Sequence, residues 1–137
     1  MTVKEAKREL KQVKDMEKDI KSVELEIERL MTIATKMTAS FDVVNVSSSP
    51  GNKIEEAVAK IDDYRGRLSR LLVEDIGHKN KCLEKVQQIE PRSLQKLLIL
   101  YYFQDKTLEQ TAELIDKSYQ WTYELFKSAL EEYAKIS

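Results

Sequence analysis

From Val3 to about Ala39, apolar residues recur at alternating steps of three and four. They are Ala6, Leu10, Val13, Ile20, Val23, Ile27, Leu30, Ala34 and Met37, with Met16 near the one missing step. The residues between them are mostly Lys and Glu. This is a heptad seam, and it predicts one long helix over residues 3–39. Unbroken, that helix would span ~55 Å at 1.5 Å per residue, burying only a stripe, so it needs a partner. A second pattern runs from Lys53 to about Ile89, with Ile54, Val58, Ile61, Leu68, Leu72, Ile76, Leu83 and Val86 as its seam. Arg65 and Lys79 interrupt it. Gly66 and Gly77 each weaken a helix by ~1 kcal/mol relative to Ala, so a bend or fraying is expected near Gly77 and His78. Two helices of similar length joined by a short linker fold back as an antiparallel coiled-coil hairpin, here residues 1–90.

The linker is residues 40–52, where Ser47-Ser48-Ser49-Pro50-Gly51-Asn52 is rich in turn formers. It is expected to be the most mobile part of the chain. Phe41, Val43, Val44 and Val46 precede the turn, either packing across the hairpin end or forming a short extended piece.

Residues 91–137 read as three further helices. Pro91 ends the preceding helix and starts the third, because it has no N–H to donate and is tolerated in a first turn. The apolar run to Phe103 is followed by a polar break, Gln104-Asp105-Lys106. Thr107 and Ser118 are N-caps, since a hydroxyl oxygen accepts from the free N–H groups of a first turn. Gln110, three residues after Thr107, completes a capping box. Between the short fourth helix and the last one lies a turn of about three residues, the spacing of a helix-turn-helix. Ala112 sits at the crossing, and Leu108, Ile115, Leu125, Ala129 and Leu130 share one core. The fold class is therefore all-α.

The order Thr107-Leu108-Glu109-Gln110-x-Ala112-Glu113-x-Ile115-x-x-Ser118, followed by Ala129-Leu130, resembles region 4 of sigma-70 factors. Over roughly residues 30–135 the chain is similar to short sigma-region-4-like proteins of phages and prophages of Gram-positive bacteria. Those proteins have a helical N-terminal half and a segment like Ala57-Val58-Ala59-Lys60-Ile61-Asp62-Asp63. Some are late-gene transcription activators. The resemblance implies a transcription regulator whose partners are double-stranded DNA, RNA polymerase, or both. It implies DNA contact through Lys117, Ser118, Tyr119, Gln120, Tyr123, Glu124 and Lys127.

Charge changes that picture. Residues 91–137 hold six basic side chains against seven acidic ones. Phosphate contacts by Lys and Arg supply most non-specific DNA affinity, and this segment lacks that footprint. Region-4 recognition helices carry several arginines, whereas residues 119–137 carry only Lys127 and Lys135. Thr111 and Thr122 stand where the family prefers Ile or Val, and Asp116 where it prefers a turn glycine. The last helix is instead rich in aromatics. Exposed Tyr and Trp are enriched at protein interfaces, so Tyr119, Trp121, Tyr123 and Phe126 define an alternative: a module that binds a host enzyme or defence complex. A coat of aromatics over the hairpin end is the plain structural reading.

The remaining composition narrows the classes. The chain has 137 residues, a formal net charge of −1 and 34% charged residues, as suits long solvated helices. Lysines near the N-terminus are diluted by acids, the mark of a solvated face with i,i+4 pairs. A single Cys82 excludes an internal disulfide and fits a reducing bacterial cytoplasm. No apolar run reaches a membrane span, and the N-terminus lacks a signal-peptide core. His78 has no second ligand for a metal. Cys82 is four residues from His78, but a two-helix hairpin offers little pocket for a catalytic thiol. Without a glycine-rich phosphate loop either, neither an enzyme nor a cofactor is expected. The narrow seam of the hairpin could also recruit a second copy as a homodimer.

Overall fold

A computed structural model describes residues 1–43 and 50–136, with side chains for 1–36 and 53–136. The elements are α1 (Val3–Val43), α2 (Pro50–Val86), α3 (Arg92–Leu98), α4 (Leu108–Leu114) and α5 (Tyr119–Lys135). A π-helical turn, Ile99–Phe103, extends α3. All regular elements among the described residues are helical, so the fold is all-α. The expected linker is shorter than 40–52, because α1 continues to Val43 and α2 begins at Pro50. Proline at the start of a helix gives up no hydrogen bond. The mobility expected there, and the packing of Val44 and Val46, fall outside the described residues. α2 runs unbroken through Gly66 and Gly77 and stops at Val86. A tight turn to Ile89 then follows, and the Gln95 amide donates to the free carbonyls of Gln87 (3.2 Å) and Ile89 (2.5 Å).

The chain forms two compact units, residues 18–74 and residues 1–17 with 75–137. This division differs from the expected 1–90 and 91–137. The physical reason is that the N-terminal turns of α1 and the last turns of α2 share one core with residues 91–136.

Within residues 18–74, Val23, Ile27 and Leu30 of α1 pack with Ile61, Tyr64, Leu68 and Leu71 of α2. The α1 seam is the one predicted as far as Leu30, with Ala6, Leu10, Val13, Ile20, Val23, Ile27 and Leu30 all buried; Ala34 is half-buried, and the Met37 side chain lies outside the described residues. The α2 seam is not. Ala57, Ile61, Asp75, Cys82 and Val86 are buried, while Val58, Leu72 and Ile76 are exposed, Ile76 by 59%. At Ala57, Leu71 and Asp75 the inward stripe lies one residue, some 100°, before the predicted Val58, Leu72 and Ile76.

In the second unit, Ala6, Leu10 and Val13 pack with Cys82, Val86 and Ile89, with Leu94, Leu97 and Leu98 of α3, and with Phe126, Ala129, Leu130, Tyr133 and Ala134 of α5. One polar knot lies against this core. The Glu9 carboxylate accepts from Lys85 Nζ and from the Tyr133 hydroxyl, both at 2.8 Å. The Glu9 carbonyl accepts from His78 Nε2 at 2.8 Å. Glu9 thus ties α1, α2 and α5 together. Cys82 Sγ lies 3.5 Å from His78 Nε2 in this knot, and burial pushes its thiol up, away from the thiolate form. A second ion pair joins Lys79 to Glu17, and Lys79 also lies 2.9 Å from Asp75. Glu9 and Glu17 on α1 face Lys85 and Lys79 on α2, so the two helices run antiparallel.

Candidate functional site

The α4–turn–α5 segment is specified by short-range chemistry. Thr107 Oγ1 accepts from Gln110 N at 3.1 Å, and Gln110 Oε1 accepts from Thr107 N at 3.0 Å, closing the expected capping box. α4 ends in two reverse bonds, Lys117 N to Ala112 O at 3.0 Å and Asp116 N to Glu113 O at 3.2 Å. That pattern needs one left-handed residue just past the helix. Asp116 fills it, with φ 56°, where a glycine is usual. Ser118 then caps α5, its Oγ accepting from Trp121 N at 3.1 Å. Its hydroxyl is engaged in holding the helix start.

The core beneath is built from the residues the spacing picked out. Ala112, Ala129 and Leu130 are buried, and Leu108, Ile115 and Leu125 are half-buried against them. Thr111 and Thr122 are fully buried despite their hydroxyls. Each donates to the carbonyl four residues back, Thr107 O and Ser118 O respectively, both at 2.8 Å. A threonine in this bond behaves as a valine with a satisfied oxygen, so the positions remain apolar in effect.

Of the residues predicted to contact DNA, Lys117, Tyr119, Gln120, Tyr123, Glu124 and Lys127 are all exposed. Tyr119, Tyr123 and Lys127 are four apart and form one stripe, with Lys127 Nζ 4.7 Å from the Tyr123 ring centroid. Gln120 and Glu124 form the adjacent stripe. Lys127 also lies 3.7 Å from the Glu124 carboxylate. Over residues 119–127 the one cation is therefore balanced by the one anion.

The aromatic set predicted for protein binding does not hold together. Phe126 is core, only 7% exposed, stacked at 5.8 Å on Tyr102 and edge-on at 4.9 Å to Tyr101. Its position follows from helical phase, which groups it with Thr122, Ala129, Leu130 and Tyr133. Trp121 is exposed by 56%, but it lies about 160° around α5 from Tyr123 at 100° per residue. Tyr119 and Tyr123 thus line one edge of the helix and Trp121 the other. The spacing did not single out Leu114, yet it too is exposed, at the end of α4.

The π-helical turn was equally unanticipated. In an α-helix, neighbours point about 100° apart, so Tyr101 and Tyr102 would diverge. Here both rings reach Phe126, and they meet each other edge-on at 4.8 Å. Lys14 of α1 sits over the Tyr101 ring at 3.5 Å. Burial pushes the Tyr102 hydroxyl far above the ordinary tyrosine range, so it stays neutral. These aromatics anchor α5 from behind and leave its opposite face to solvent.

Comparison of the chain with family models, with curated proteins and with solved structures gives no match. No helix among the described residues is long and apolar enough to cross a membrane.

Proposed function

We propose that this chain is a phage-type transcription regulator whose α4–turn–α5 segment is a helix-turn-helix that engages promoter DNA, RNA polymerase or both. One observation carries the reading. The first two turns of α5 present Tyr119, Gln120, Tyr123 and Glu124 to solvent from a helix fixed by a cap, a left-handed turn and a buried back face. A helix held so, with its N-terminal side chains free, matches how recognition helices enter the major groove. Gln120 is the base-reading residue, since a carboxamide pairs with the adenine edge. Tyr119 and Lys117 contribute backbone contacts. The test is fluorescence anisotropy with labelled duplexes, including the upstream regions of neighbouring genes, at low and near-physiological salt. Preference for one duplex, relaxed by Gln120→Ala, is the expected result. Equal affinity for all duplexes, unchanged by Gln120→Ala, refutes base reading by α5.

A second reading is favoured by one specific observation. Glu124 faces outward beside Gln120 and holds Lys127, which disfavours phosphate contact there. On that reading the helix-turn-helix binds a host protein instead. Trp121→Ala in a pull-down is its control, and retention of every partner by that variant argues against the Trp121 edge as the contact.

A further inference from the structure

Arginine is scarce in this chain, at six residues among 23 cations, and three of the six line one open cleft. The cleft lies wholly within residues 18–74 and measures 450 Å3. Arg67, Arg70 and Lys60 come from α2, and Arg29 comes from α1. Tyr64 lies half-buried between them. Two carboxylates, Glu26 and Asp63, share the cleft. Glu26 is committed to Arg29 by a two-pronged bond, with Arg29 Nε at 3.0 Å and Nη2 at 2.5 Å. Lys60, Arg67 and Arg70 are exposed and form no ion pair among the described residues. With Glu26 and Arg29 paired, the cleft holds three further cations against Asp63, of which Lys60 also acts on the Glu26 carboxylate.

We propose that this cleft is a phosphate-backbone site for duplex DNA. Guanidinium groups match phosphate oxygens two at a time and are less strongly hydrated than ammonium groups, which makes arginine the better phosphate ligand. Lys60, Arg67 and Arg70 follow one another along α2, about 10 Å and 4–5 Å apart by helix rise. Cations strung along a line suit a linear polyanion with regularly spaced charge rather than one isolated anion. The chain as a whole is slightly acidic, so general attraction would not hold it on DNA, and binding there requires a local cluster such as this one. Contacts of this kind position a protein on DNA without reading sequence. The site is independent of whether α5 reads bases.

The test is anisotropy with a labelled duplex of arbitrary sequence and the full chain, titrated across a range of salt. Arg67→Ala/Arg70→Ala is compared with the charge-retaining Arg67→Lys/Arg70→Lys and with Lys4→Ala/Lys7→Ala, which removes two cations elsewhere. Circular dichroism confirms that each variant is folded. The alanine pair is expected to lose about tenfold in affinity at low salt. Its slope of log affinity against log salt should flatten by about two, at roughly 0.9 per phosphate contact. The lysine pair should keep most of the slope, and Lys4→Ala/Lys7→Ala should change little. Absence of salt-dependent binding by the wild type overturns the site. So does an alanine pair that binds as wild type, or an equal loss in Lys4→Ala/Lys7→Ala. Loss of this binding in Gln120→Ala but not in the arginine pair overturns the site while leaving the α5 reading standing. Loss in the arginine pair with no change in duplex preference for Gln120→Ala does the reverse.

Discussion

Tyr133→Phe is the sharpest probe of the unit that carries α5. The tyrosine is fully buried; its hydroxyl donates to Glu9 Oε1 at 2.8 Å, across 124 residues of sequence, and also meets the Cys82 thiol. Phenylalanine keeps the ring and its packing, so the change removes only the hydroxyl's contacts, the charged one to Glu9 and the weaker one to Cys82. Hydrogen bonds to charged groups contribute roughly 1.5–3 kcal/mol. Lys85 remains on the same carboxylate oxygen at 2.8 Å, so Glu9 is not stranded, and the low end, about 1.5 kcal/mol, is expected at neutral pH. Urea unfolding followed by circular dichroism would read this directly, and for a chain of 137 residues the melting temperature should fall by about 3–5 °C per kcal/mol. Acid provides the second half of the test. Burial alone would raise the Glu9 carboxyl, but the bonds from Lys85 and Tyr133 and the charge of Lys85 outweigh it and hold it below the ordinary value. A depressed folded value means stability that is fully present above the ordinary carboxylate range and lost as pH falls through the folded value. The gap between wild type and Tyr133→Phe should therefore be widest at neutral pH and narrow below about pH 4. Coincident unfolding curves at pH 7, or a gap that widens in acid, would refute the role given to Glu9.

Three further substitutions test the packing and the turn. Phe126→Ala removes a buried ring that touches Tyr101 and Tyr102, and should cost about 3–5 kcal/mol in urea unfolding; a surface residue would cost a tenth of that. Asp116→Gly relieves a left-handed residue at φ 56° and should stabilise by roughly 0.5–1 kcal/mol in a thermal melt. Asp75→Leu replaces a carboxylate that is 4% exposed, with Oδ2 paired to Lys79 and Oδ1 without a hydrogen-bond partner among the described residues, while Lys79 keeps Glu17. Burial holds that carboxyl above its ordinary value despite nearby His78, so in the wild type the charge opposes folding once pH exceeds the ordinary carboxylate range. The variant should gain about 1 kcal/mol at pH 7 and lose that advantage in acid, and melts at both pH values would show it.

The parts of this molecule that were legible in the sequence are those set by neighbours along the chain. The capping box at Thr107, the Ser118 cap and the α1 seam each depend on residues within one or two turns, and each stands where the spacing puts it. The α2 seam depends on something else. Its two candidate stripes are one residue apart: Val58, Leu72 and Ile76 are the more apolar set, and Ala57, Leu71 and Asp75 the set one step earlier. A single helix holds no rule for choosing between them. The choice is made by register against α1, where Lys79 meets Glu17 and Lys85 meets Glu9, and those pairs carry the less apolar stripe inward, Asp75 included. Phe126 shows the opposite kind of miss, since its phase was recoverable. Thr122 precedes it by four, and Ala129, Leu130 and Tyr133 follow by three, four and seven, which is one continuous buried face. That face disappears only if Thr122 is counted as polar. Its hydroxyl is spent on the Ser118 carbonyl, so the chain treats it as apolar, and Phe126 belongs to the core.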